Sequence, residues 1–160
     1  LTTWETPQSL FDALYREFHF TIDVAANTEN HKCVRYFTVE TDALRQNWSH
    51  DVFWMNPPYG RGQNVYAWVK KVYESAVAGG VGACLLPAST DTKWFHEFCM
   101  KASEIRFVSD RLWFSLDGRA QRANHASIVV VFRQNDLGTP RISSIKNYRP
   151  PRQKLFARTA

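Results

Sequence analysis

Apolar residues at Leu10, Phe11, Leu14, Tyr15 and Phe18 recur at the three- and four-residue spacing of a helix face, with polar residues in the gaps. With Thr6 as a cap and Pro7 in the first turn, TPQSLFDALYREF predicts a helix of about twelve residues. The period then changes to two. Phe18, Phe20, Ile22 and Val24 alternate as a strand does, and Asp23 and the small residues after it fall at its carboxyl end. VRYFTV is a second, weaker strand pattern and DVFWM a third. AWVKKVYESAVAGG predicts a helix closed by a glycine pair. VGACLLPA is continuously apolar, as suits a central parallel strand covered on both faces. DTKWFHEFCMKA is helical, EIRFVS and RLWFSL are strand-like, and HASIVVVF is a strong final strand. Strands alternating with helices imply an α/β sheet with right-handed connections and ligands at the strands' carboxyl ends.

The pattern fades after residue 134. RISSIKNYRPPRQKLFARTA is basic, broken by prolines and without apolar period, which predicts one domain over 1–134 and an irregular basic arm over 135–160. At 160 residues the chain has room for a single core and for no second catalytic domain. Its formal charge of +5 favours a polyanionic partner, and the rings of six Trp, six Tyr and eleven Phe could stack on bases. Three dispersed cysteines, Cys33, Cys84 and Cys99, suggest neither a disulfide framework nor a zinc knuckle, so a reducing cytoplasm and no metal are expected. His31 and Cys33 are close, but no second ligand pair follows them. No signal peptide, membrane-spanning run or repeat is apparent, and a soluble protein is expected.

The chemistry concentrates in Asn56, Pro57, Pro58 and Tyr59, directly after the DVFWM strand. Each proline fixes its own φ, lacks an N–H and pushes the residue before it toward extended backbone. The ladder is interrupted there, and its carbonyls can accept hydrogen bonds from a ligand. Asn56 adds a side-chain carbonyl and Tyr59 a flat ring, a clamp for a planar group bearing an exocyclic amino group. Two acceptors on one amino group turn its lone pair toward an electrophile such as a methyl sulfonium, with positioning and electrostatics supplying most of the catalysis.

In this setting NPPY resembles the catalytic motif of S-adenosylmethionine-dependent amino-group methyltransferases. Together with WETPQSLFDAL, FTIDVAAN, TDALRQNW, LLPASTDTKWF and RLWF it resembles the phage-type DNA adenine N6-methyltransferase (Dam) family, from Trp4 to about Phe132. The resemblance implies a single-domain, abbreviated Rossmann-like methyltransferase sheet with flanking helices, S-adenosylmethionine as cofactor, and double-stranded DNA as partner, with the base extruded because N6 in a paired stack is out of reach. It also implies a phage or prophage origin in a bacterial cytoplasm. Asn56 and the Pro57 carbonyl would hold the adenine N6, with Tyr59 stacked on the base. Asp23, Ala25, Ala26, Asp42, Leu44 and Asn56 would meet the cofactor, with Thr6 and Pro7 helping to close the site. A turn cap is the alternative for Asp23, a solvated loop for Asp42 and a helix cap for Thr6. DVAANTEN lacks the glycines usual after the first strand, so the cofactor loop is abbreviated. Pro87, Ser89, Thr90 and Asp91 should line the catalytic edge, with a structural turn as the alternative, and Arg111, Arg119 and Arg122 could track phosphate or simply form a solvated basic loop. RNA guanine or protein glutamine as methyl acceptor, or a noncatalytic nucleic-acid-binding module, remain open at this stage.

Overall fold

The computed structural model describes residues 5–60, 62–116 and 119–146. A six-stranded sheet runs in the order β1-β2-β3-β7-β4-β8, with a separate ribbon of β5 and β6. Its strands are β1 (Ile22–Asp23), β2 (Val52–Met55), β3 (Val81–Pro87), β4 (Glu104–Val108), β7 (Ser127–Arg133) and β8 (Arg141–Ile145); the ribbon pairs β5 (Trp113–Leu116) with β6 (Arg119–Arg122). Only β7 runs against the rest, antiparallel to both β3 and β4.

Side-chain alternation sorts the core into two layers. Phe53 and Met55 of β2, Cys84 and Leu86 of β3, and Ile128, Val130 and Phe132 of β7 face α2 (Val65–Val77) and α3 (Lys93–Glu97). Trp54, Ala83, Leu85, Val129 and Val131 face α1 (Gln8–Phe18), whose Leu10, Phe11 and Leu14 are buried on them. Both faces of β3 and β7 are covered, which is why these strands read as unbroken apolar runs.

Several expectations are corrected. The alternation from Phe18 to Val24 is not one strand. Phe18 ends α1, His19 turns the chain with a left-handed φ of 52°, and only Ile22–Asp23 joins the sheet. Phe18 and Phe20 consequently pack on the α1 side while Ile22 and Val24 pack on the other. VRYFTV forms no strand; it lies along β1 through one parallel bridge, Asp23 to Tyr36. β3 is parallel to β2 but antiparallel to β7. DTKWFHEFCMKA contributes a short α3 and then a 3-10 turn over Cys99–Lys101.

The expected irregular arm is corrected in its first part, because Arg141–Ile145 pair with β4 in parallel as β8. An exposed edge strand needs backbone partners rather than apolar period, so its sequence gave no signal. The arm from residue 147 onward lies outside the described residues.

Arg141 also joins an ionic cluster that ties β8, β4, β7 and α1 together. Glu104 accepts from Arg106 Nε at 2.8 Å, from Arg133 and from Arg141 Nη2 at 3.3 Å, while Glu17 takes the other edge of Arg106 at 2.6 and 2.7 Å. Burial alone would raise the Glu104 carboxyl, but the bonds from Arg133 and Arg106 bring it below its ordinary value of 4.5. Its stabilising contribution is therefore complete above that value and is lost as pH falls through the lower folded pKa. Glu104→Gln is expected to cost about 2 kcal/mol at neutral pH, or roughly 4–8 °C in Tm. Thermal melting of both proteins from pH 7 downward should show the gap narrowing below pH 4.5.

Candidate active site

The carboxyl ends of β1, β2, β3 and β4 and the amino end of β7 share one edge of the sheet. The chain leaves β1 to lie beside it at Tyr36, then returns across it to form β2 on the other side. That reversal opens the crevice in which α/β sheets bind ligands, between the loop after Asp23 and the loop after Met55.

At the centre stands Asn56, half-buried. Its Nδ2 donates to Thr6 Oγ1 at 3.0 Å, and its Oδ1 accepts from the Tyr59 hydroxyl at 2.6 Å. The same hydroxyl lies against the Leu85 carbonyl. A phenol carries one proton, so it serves only one of these two acceptors at a time. Burial pushes its pKa well up, with Cys84 adding to the shift, and Tyr59 stays neutral. Its ring packs against the core and meets His125 edge-on, centroids 5.8 Å apart. Pro57 is buried beneath the loop and Pro58 is exposed.

The cofactor candidates divide into two kinds. Asp23 is 3% exposed, and its two oxygens accept from the backbone N–H groups of Ala25 at 3.2 Å and Lys32 at 3.0 Å. Burial raises its pKa against those bonds. Asp23 thus caps and folds the glycine-free loop that presents Ala25 and Ala26, both half-buried, at the crevice. Asp42 is exposed, takes a left-handed φ of 47° and makes no side-chain cap bond at the 3-10 turn it opens. Leu44 in that turn borders the same apolar cluster as Ala25, Phe37 and Tyr59. Thr6 is not a helix cap, since the Pro7 carbonyl starts α1 by accepting from Leu10 and Phe11.

On the far side of Asn56, the loop after β3 is tied to the start of β7 by Ala88 N–H donating to the Ala126 carbonyl at 2.9 Å. Ser89 is half-buried there, its carbonyl accepting from the Thr92 hydroxyl, and Thr90 is exposed. Arg111 follows a left-handed Asp110 and is half-buried. The His125 pKa is lowered, first by burial and then by the charge of Arg111. In the ribbon Arg122 is exposed directly across from Trp113, itself 39% exposed. Arg119 belongs to β6, but its side chain lies outside the described residues.

The sequence profile of the family described as DNA N-6-adenine-methyltransferase (Dam) matches residues 2–154. The chain belongs to this family. A DNA N-6-adenine-methyltransferase of Escherichia phage T1 is 32% identical over 117 residues, covering 72% of this chain and 48% of that protein. A DNA N-6-adenine-methyltransferase of Haemophilus phage HP1 is 29% identical over 110 residues, covering 67% of this chain and 62% of that protein. The chain therefore spans about half to three-fifths of the length of these phage relatives. A putative methyltransferase of Escherichia coli, YfdM, matches 63 residues at 33% identity, 35% of this chain and 69% of that protein.

For a Dam-family chain with a Rossmann-like sheet, the loop of Asn56, Pro57, Pro58 and Tyr59 stands at the carboxyl end of a buried strand, β2. Sequence reasoning missed His125, Phe37 and the β6 strand. His125 opens the HASIVVVF stretch, but its place beside Tyr59 depends on β7 running backwards, which no local pattern reveals. Among the described residues no helix is long and apolar enough to cross a membrane.

Proposed function

We propose that this chain transfers a methyl group from S-adenosylmethionine to N6 of an adenine in DNA. The observation that carries the reading is the Asn56 side chain, held by Thr6 through Nδ2 and with its carbonyl oxygen taken by one hydroxyl donor, that of Tyr59. Replacing that hydroxyl with an amino group presents Asn56 Oδ1 with a donor bearing two protons, the second of which the Pro57 carbonyl can take. Holding both protons frees the nitrogen lone pair for attack, and the fixed acceptors stabilise the positive charge that develops there. The surplus proton leaves to solvent once the nitrogen is methylated. Tyr59 moves off Oδ1 as the base enters, and its ring becomes available to stack on the extruded adenine.

The crevice fits the cofactor: Asp42 offers an exposed carboxylate, Ala25, Phe37 and Leu44 a partly buried apolar wall, and Asp23 the fold of the loop between them. The bound cofactor supplies the electrophilic methyl group. Asp42 would accept from its adenine amino group, and Pro7 would close the site from the α1 side. Ser89, Thr90, Arg111, Arg119 and Arg122 are the residues that would meet DNA, and the net charge of +5 favours that polyanion.

The direct test incubates the chain with S-adenosylmethionine and unmethylated plasmid and sequences the DNA for N6-methyladenine. Methyl label found only in RNA or in protein would overturn the choice of acceptor. Two variants probe the assignments. Tyr59→Phe should keep most of the turnover, because stacking uses the ring, whereas Tyr59→Ala should weaken productive DNA engagement by about 1–3 kcal/mol. Equal damage from both, measured as kcat/KM for DNA, would make the hydroxyl the working group. Asp42→Ala should weaken cofactor binding in a calorimeter by roughly tenfold, as for a hydrogen bond to a charged group, with DNA affinity unchanged.

A further inference from the structure

We propose that Thr6 is the positioning residue for Asn56, anchoring its amide so that the carbonyl oxygen is held where the incoming amino group would meet it; this rests on the methyl-transfer reading above. An asparagine amide is nearly symmetric in shape, and a half-turn about its last torsion exchanges an acceptor for a donor. With Oδ1 outward Asn56 binds an amino group; with Nδ2 outward it repels one. Nothing in the asparagine itself decides between the two.

Two hydroxyls hold it as found, Thr6 at the Nδ2 end and Tyr59 at the Oδ1 end. The Thr6 Oγ1 accepts from Nδ2 at 3.0 Å, and Thr6 is only 4% exposed. The hydroxyl is held from both sides in sequence. Glu5 exchanges two backbone hydrogen bonds with Ser115 of β5, at 3.1 and 3.4 Å, and Pro7 opens α1 through its carbonyl. Thr6 is thus clamped between the ribbon and the first helix, and it reaches 50 residues along the sequence to touch the catalytic loop. It does this without capping α1, so its burial is not explained by helix formation.

The test compares Thr6→Val, Thr6→Ser and Thr6→Ala in the full chain. Val keeps the shape and removes the hydroxyl; Ser keeps the hydroxyl and removes the methyl group. Turnover at saturating DNA and cofactor should fall about 10- to 100-fold in Val and recover in Ser. Cofactor affinity in a calorimeter should remain within about twofold of the unmodified chain, a change too small to register as a lost hydrogen bond. The side-chain amide proton signals of Asn56 in a 1H–15N spectrum should move in Val and stay in Ser, a readout that needs neither substrate nor cofactor. Should Val fail to fold on melting, Ala against Ser isolates the hydroxyl in the same cavity. Unchanged turnover in Val, or a loss of cofactor affinity with turnover intact at saturation, would overturn the proposal, the second result making Thr6 a cofactor contact. An unmodified chain that methylates no adenine would overturn the methyl-transfer reading itself, whereas active wild type with an indifferent Thr6 overturns only this inference.

Discussion

Asn56→Ala is expected to lower methyl transfer by about a hundred- to a thousandfold at saturating DNA and cofactor. The acceptor it removes matters chiefly when positive charge develops on the attacking nitrogen, so the loss should fall on kcat. Cofactor binding should survive, since Asp42, Leu44 and the loop folded by Asp23 are untouched. Asn56→Asp retains an acceptor at the same place, and the Thr6 hydroxyl can donate to it; this variant should lose less. Steady-state rates on an adenine-containing duplex decide the matter. An alanine variant above half of wild-type turnover would remove Asn56 from the chemistry.

Gly82→Ala is expected to destabilise the fold by about 3 kcal/mol, near the upper end for overpacking a core. Gly82 is the register partner of Phe53 in the parallel β2–β3 pair, and the Phe53 ring lies over it so closely that a Cβ would overlap the ring. Phe53 has nowhere to go. It is fully buried and packs against Trp48, ring centroids 5.4 Å apart. Denaturant unfolding of the variant measures the cost, and adding Phe53→Leu should recover part of it. A wild-type midpoint for Gly82→Ala would show that the ring has room that the packing denies. Because Asn56 follows Phe53 by three residues, partial unfolding here should also depress activity.

The sequence revealed most where one residue property had one use. Continuous apolar runs identified β3 and β7 because both faces of those strands are covered, and the paired prolines marked the end of β2 because they can hardly serve in a central strand. It revealed least where pairing partners came from far away. Arg141–Ile145 carries no strand signature because its support is the backbone of β4 and the carboxylates of Glu104 and Asp136. The Phe18 to Val24 alternation misled because a left-handed turn at His19 splits it between two layers. At the site, Asp23 was legible as a residue of consequence, but its two amide partners make it a builder of the loop. Thr6 looked like a helix cap, and only the tertiary fold brings it to Asn56.

The reversed strand has a consequence for how the chain is made. β7 lies between β3 and β4, so those two strands cannot meet until Ser127–Arg133 has been synthesised and inserted between them. A nascent chain ending anywhere before residue 127 carries β3 with one open edge and lacks Ile128, Val130 and Phe132 from one layer and Val129 and Val131 from the other. Folding must therefore wait for nearly the whole domain to leave the ribosome, and the pairing of distant segments makes it slow. Truncations stopping short of Arg133 should be captured by chaperones or aggregate, while the ribosome-released chain closes its sheet with β7 as the last interior strand to arrive.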